Sequence, residues 1–141
     1  MNLLIDTDVL IDVALNRAPY ARHSSRILDA AQQRRFEAFI AWHSIANFYY
    51  LVSSPKSNKA AKEFIRELLT FVNIAPTRTE DAVYALNLPI SDFEDALQIA
   101  AAKVSGARLI ITRNVKHFKK SPIPALTPRD FCEQHSDLFS D

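Results

Sequence analysis

Three aspartates, Asp6, Asp8 and Asp12, interrupt the apolar run LLIDTDVLID at residues 3–12. A buried, unpaired carboxylate costs several kcal/mol or takes up a proton. These side chains therefore need a cation, a set of donors, or solvent. A second acidic group lies far along the chain in ISDFEDALQIAAA, where Asp92 and Asp95 stand three apart. On a helix such residues are surface neighbours. If Asp6 and Asp95 converge, their repulsion requires a cation. Carboxylate oxygens are hard ligands, which select Mg²⁺ or Mn²⁺ over zinc. Such ions retain waters and bind phosphates, so the chemistry implied is phosphodiester hydrolysis by a metal-activated water.

Each acid also has a structural reading. A first-turn carboxylate such as Asp92 complements the helix dipole. Asp8 would cap a following helical turn, and Asp12 would lie on a solvated face. A strand-end Asp such as Asp6 can bond local amides. Asp95 is placed differently. Phe93, Ala96, Leu97, Ala100 and Val104 form an apolar face of its helix, and Glu94, Gln98 and Ser105 a polar side. Asp95 instead shares a stripe with Ile99 and Ala102, which aims it into a partly enclosed cleft.

The elements that must position these residues are short strands alternating with helices. NLLID (2–6) reads as a buried strand, followed by a helical turn or two over 8–16. A helix follows from Tyr20 to about Gln33, with Pro19 near its start. EAFIA (37–41) and VNIAP (72–76) are strand candidates. HSIANFYYLVSS (43–54) has helical spacing and stops at Ser54-Pro55. Residues 57–71 form an amphipathic helix with Phe64, Leu68 and Phe71 on one face. Residues 79–88 make a short helix, with Thr79 as expected N-cap. Ser91 and Glu94 have capping-box spacing, and Gly106 closes that helix. ARLIITRN (107–114) is a buried strand, VKHFKK a short helix or loop, and ALTP leads into a last helix over about 128–138.

This alternation predicts a single α/β domain over residues 1–141, a three-layer α/β/α sandwich around a mostly parallel sheet. In such sheets ligands bind outside the carboxyl ends of strands. Asp6 ends the first strand, and Asn114 lies just past the strand at 108–112.

Bulk properties narrow the function further. The chain has 141 residues, 48% of them hydrophobic, and a net charge of +1, so any nucleic-acid contact must come from a local patch. Its one cysteine, Cys132, excludes an internal disulfide and a cysteine zinc cluster. Its one glycine, Gly106, excludes glycine-rich phosphate cradles. No stretch spans a bilayer and no leader is evident, so a cytoplasmic protein is expected.

The order of LLIDTDVLID, SIANFYYL, SDFEDALQIAAA and IITRNVKHF resembles the PIN-domain family, near the VapC-type toxins of bacterial toxin–antitoxin pairs. The likeness runs from Leu3 to about Phe131. It implies that Asp6 is the first metal ligand, that Asp95 is the central acidic ligand and Asp92 an accessory one, and that Thr112 and Asn114 line the site. It further implies an Mg²⁺- or Mn²⁺-dependent endoribonuclease acting on RNA, a homodimer, and a small antitoxin that covers the cleft. Two positions depart from the family pattern: Asn47 stands where a Glu is usual, and Asn114 where a fourth acid is usual. Asp8 stands where an Asn is usual and restores one charge. A neutral amide binds hard cations more weakly. The alternative is therefore a catalytically weak module that binds RNA or protein.

For substrate, RNVKHFKK (113–120) supplies Arg113, Lys116, His117, Lys119 and Lys120 beside the site, with Phe118 expected in the core. Structured RNA loops, whose bases can splay and stack, are the natural target. Trp42, Phe48, Tyr49 and Tyr50 are expected mostly in the core, and any exposed member would mark an interface. A phosphatase with a nucleophilic Asp also suits an opening Asp-x-Asp, but the acidic helix and TRNVKHF fit it less well.

Overall fold

In the computed structural model, residues 1–139 are described. Five parallel strands form one sheet in the order β3-β2-β1-β4-β5. They are β1 (Asn2–Ile5), β2 (Glu37–Ile40), β3 (Val72–Ile74), β4 (Leu109–Ile111) and β5 (Ala125–Leu126). The helices are α1 (Thr7–Ala14), α2 (Ala21–Gln32), α3 (Trp42–Ser53), α4 (Asn58–Leu68), α5 (Thr79–Leu86), α6 (Phe93–Val104) and α7 (Pro128–Gln134). Short 3₁₀ turns cover Val115–Phe118 and Ser136–Phe139.

Strand β1 explains the layering. Its side chains alternate, and both sheet faces are covered. Leu3 and Ile5 pack with residues of α1, α2, α3 and α7. Leu4 packs with Ile99, Ala101 and Ala102 of α6 and with Phe118. The result is the expected α/β/α sandwich, with every strand pair parallel. Strand β1 pairs with β2 on one side and β4 on the other, so the sheet's order reverses beside it. A crevice opens at such a switch point, just beyond the carboxyl ends of the strands. Asp6 follows β1 directly, and Thr112, Arg113 and Asn114 follow β4.

Several local expectations are corrected. Helix α5 is capped at Arg78, not Thr79: the Arg78 N–H donates to Asp81 Oδ2 at 2.8 Å. Helix α6 is capped by Asp92, not by a Ser91–Glu94 box, because Asp92 Oδ1 reaches the Asp95 N–H at 3.1 Å. Gly106 does close α6, at φ +66°, where an L side chain is strained. The last helix ends at Gln134, and β5 was not foreseen.

The faces of α6 are also redistributed, because it is sandwiched between α5 and the sheet. Ala96 and Ala100 pack towards α5, Ile99 and Ala102 lie under the sheet, and Gln98 is fully buried rather than solvated. Phe93, expected on the apolar face, is exposed. Of the four clustered aromatics, Phe48 is in the core, stacked on Phe64 at 4.9 Å, and Tyr49 packs half-buried against it; Trp42 and Tyr50 are 69% and 73% exposed. Phe118 is buried as expected.

Candidate active site

The turn from β1 into α1 sets Asp6. Its backbone N–H still continues the sheet, donating to Ile111 O at 2.9 Å, while its Oδ1 caps α1 by accepting from Thr7 N at 2.7 Å. It is Asp6, then, and not Asp8, that caps α1. The second carboxylate oxygen, Oδ2, accepts from Thr112 Oγ1 at 2.8 Å. Thr112 in turn accepts the Asn114 N–H at 3.0 Å, which orients its hydroxyl towards Asp6.

Two residues along, Asp8 Oδ2 accepts from the Arg113 N–H at 3.1 Å and from Asn114 Nδ2 at 3.3 Å. Its Oδ1 is buried with no hydrogen-bond partner. These contacts link the ends of β1 and β4, bringing together residues more than 100 positions apart.

Asp95 projects from the first turn of α6 into the same space. A cleft of about 380 Å³ is lined by Asp6, Asp8, Asn47, Glu94, Asp95 and Asn114, with Tyr50 and Leu51 at its α3 wall. The two distant acids therefore share one cleft. Asp95 Oδ2 also lies 3.2 Å from His117 Nδ1.

Electrostatics follow from this crowding. Burial, then Asp8 and Asp95, push the Asp6 carboxyl from an ordinary 3.8 to about 8, against the hydrogen bonds of Thr112 and Thr7. Burial raises Asp8 as well, opposed by the Arg113 N–H. Asp95 is raised by burial and by Asp92, and His117 opposes the shift. Three acids are each held in conditions that disfavour their charge, with too few cations to offset it. Such clustering is common where a site performs chemistry.

A polar pin holds the elements behind the cleft. Gln98 Nε2 donates to Ser44 Oγ at 3.0 Å, and Thr7 Oγ1 donates to the same oxygen at 2.8 Å. Helices α1, α3 and α6, which carry the cleft's side chains, are thus tied at their buried faces.

The other expected residues are distributed around this centre. Asn47 lines the cleft wall from α3. Asp92 stands apart: it is exposed, caps α6, and lines an adjoining groove with Asp95, Lys116, His117, Lys119 and Lys120. Only the backbone of Arg113 serves the cleft. Its guanidinium turns away to Asp12, through Nε and through Nη2 at 3.3 Å to Oδ1. Asp12, expected on a solvated face, is 0% exposed and paired with both Arg113 and Arg17. Glu94 was read as merely solvated, yet it lines the cleft. Its signal was available: it precedes Asp95 in the helix turn that meets the carboxyl edge of the sheet.

Whether these residues suit a divalent cation can be tested on their chemistry. The donors are all oxygen, and Asp8 Oδ1 is a buried acceptor without a donor. Among the described residues no three His, Cys, Asp or Glu side chains close into a ready cage. An open, oxygen-lined cleft with room for waters suits Mg²⁺ or Mn²⁺, which keep part of their hydration.

Fold and site together define a parallel α/β protein with an acidic cleft at its switch point. Residues 2–116 match the model of the PIN domain, and the chain belongs to the PIN-domain family. It is similar to Ribonuclease VapC1 of Aquifex aeolicus (strain VF5), 27% identical over 141 residues that cover 96% of each chain. Among solved structures, it shares its fold with VapBC2 from Rickettsia felis bound to a DNA fragment from their promoter (TM-score 0.68, 18% identical, covering 90% of this chain and 98% of that one). It shares it also with VapC20 from Mycobacterium tuberculosis, a sarcin–ricin loop cleaving toxin (TM-score 0.62, 14% identical, covering 77% of this chain and 86% of that one).

Proposed function

We propose that this protein is a divalent-metal-dependent endoribonuclease, the toxin of a type II toxin–antitoxin pair. The observation that carries the reading is the meeting of Asp6, Asp8 and Asp95 in one cleft, each with its carboxyl raised by burial and like charge. The similarity to a ribonuclease and to toxin structures supports the same reaction class.

Asp6, Asp8 and Asp95 would hold Mg²⁺ or Mn²⁺, with Glu94, Asn47 and Asn114 around them. When bound, the ion supplies an activated water and stabilises charge on the phosphate. Thr112 fixes the rotamer of Asp6 through its hydroxyl. The backbone of Arg113 and the amide of Asn114 hold Asp8 by one oxygen and leave the other buried without a donor. Lys116, His117, Lys119 and Lys120, along the adjoining groove, offer charge to RNA phosphates flanking the reacting one. Asp92 is placed as the cap of α6 rather than as a ligand, since it lines the adjoining groove and not the cleft.

The antitoxin is a proposed partner, supported by the VapBC complex among the similar structures. Exposed Trp42, Tyr50 and Leu51 on α3 support a protein-covered face, and a homodimer is proposed there. No helix among the described residues is long and apolar enough to cross a membrane. A cytoplasmic site of action is proposed with the toxin reading. The second reading, a catalytically weak binding module, is favoured by neutral Asn47 and Asn114 in the cleft.

An RNA cleavage assay in Mg²⁺ or Mn²⁺ separates the two. Cleavage by wild type, silenced in both Asp6→Asn and Asp95→Asn, is the expected result. No cleavage by wild type, with RNA binding intact, would favour the module.

A further inference from the structure

Beside the acidic cleft lies a second cavity of about 280 Å³, bounded by Pro19, Tyr20, His23, Arg113, Pro128 and Arg129. It differs from the cleft in chemistry. No acidic side chain lines it; Tyr20 and His23 supply flat rings, Arg113 and Arg129 guanidinium groups, and Pro19, Pro128 and Thr127 complete the wall. Arg113 lies over the Tyr20 ring, 4.1 Å from the centroid. The guanidinium plane is fixed by Asp12 through Nε and Nη2, which leaves Nη1 uncommitted to that carboxylate. Arg113 and Arg17 share Asp12, and Arg129 pairs with Glu133 at 3.3 Å, so the arginines at this cavity are oriented by carboxylates that lie outside its lining. Tyr20 is 43% exposed, so its ring is accessible from the cavity.

Arg113 also joins the two sites. Its backbone N–H holds Asp8 in the cleft, while its side chain forms a wall of the cavity. A strand whose phosphate lies over the acids would therefore place a neighbouring nucleotide at this cavity. Aromatic rings and arginine planes stack unpaired bases, and arginine donors suit acceptor edges on a base.

We propose that this cavity receives an unpaired base of the RNA substrate, next along the strand from the phosphate held at the acidic cleft. The proposal rests on the endoribonuclease reading and adds a specificity subsite to it. The positive, acid-free walls favour a planar, electron-rich occupant over a cation.

The test uses the full wild-type chain with Ca²⁺ in place of Mg²⁺, so that the acids keep a cation while RNA survives, and single-stranded oligoribonucleotides with 2-aminopurine at successive positions. At one position the base's fluorescence is expected to be quenched on binding. Tyr20→Ala removes that quenching and weakens affinity about tenfold, while Tyr20→Phe retains both. Arg129→Ala, at an exposed position that leaves the Asp12–Arg113 pair alone, weakens binding of the same oligonucleotide. An abasic nucleotide at the quenched position erases the difference between wild-type Tyr20 and Tyr20→Ala. Unchanged affinity and quenching in folded Tyr20→Ala overturns the subsite, as does a loss of affinity that persists on the abasic strand. A loss confined to binding of a protein antitoxin, with RNA binding unaltered, overturns it in favour of a protein occupant. The catalytic reading is scored separately, by cleavage of the same strands in Mg²⁺.

Discussion

The same ten residues, LLIDTDVLID, give two kinds of buried acid. Asp12 is fully buried but neutralised, with Arg113 and Arg17 both on its oxygens. Asp6 is 5% exposed and has hydrogen bonds from Thr112 and Thr7, but its charged neighbours are Asp8 and Asp95. Both acids are equally surprising in an apolar run. Partnering tells them apart: Asp12 is a structural ion pair, while Asp6 belongs to a cluster of like charge. Burial of a carboxylate alone does not identify a functional site; an uncompensated cluster does.

Breaking each region should have opposite consequences. The largest effect is expected on catalysis. Asp6→Asn and Asp95→Asn should each reduce RNA cleavage by about a hundredfold or more, measured by single-turnover assays in Mg²⁺. Asp12→Ala, by contrast, should destabilise the fold by about 2–4 kcal/mol in urea unfolding, because it leaves Arg113 without its partner. Equal stability of Asp12→Ala and wild type would show that the pair contributes nothing.

Removing charge from the cluster should do the reverse. In metal-free protein at pH 8, Asp6→Asn is expected to stabilise the fold by about 1–3 kcal/mol, since an uncompensated charge is deleted. The sign in pH follows. The native Asp6 carboxyl sits at about 8 against an ordinary 3.8, so over that window the folded state holds a proton the unfolded chain has released. The stabilisation is fully present below the ordinary value and is lost as pH rises through about 8. Thermal unfolding of metal-free protein should therefore show a falling Tm from pH 5 towards pH 8, with a flatter profile in Asp6→Asn; the pH values bracket the window of that shift. A Tm that rises across this range would refute the assignment. The smallest effect is expected from Asn47→Glu. It adds a carboxylate to the cleft wall and should tighten Mn²⁺ binding by about tenfold or less, read by calorimetry.

Much of the scaffold was legible because it is local. Strand β1, helix α6 and strand β4 announce themselves by apolar runs, a capped amphipathic stretch and Gly106. The meeting of Asp6 and Asp95 was legible too, since parallel sheets present ligands at strand ends. What escaped was set by distant contacts. One of the two partners of Asp12, Arg113, is 101 residues away, and nothing near Asp12 in the chain names it. Gln98 looks solvated on a helical wheel but is buried because α6 is covered on two sides. Strand β5 has two residues, too few to carry a period, and is held by pairing with β4. Glu94 reads from sequence as a polar-face residue with capping-box spacing to Ser91, although it lines the cleft.

The most direct test of the shared cation site is an Mn²⁺ titration followed by electron paramagnetic resonance, near pH 8, on wild type, Asp6→Asn and Asp95→Asn; the pH is chosen to match the raised Asp6 carboxyl. Loss of the free-ion signal in wild type, and its persistence in both variants, is the predicted result. Undiminished Mn²⁺ uptake by either variant would contradict the account.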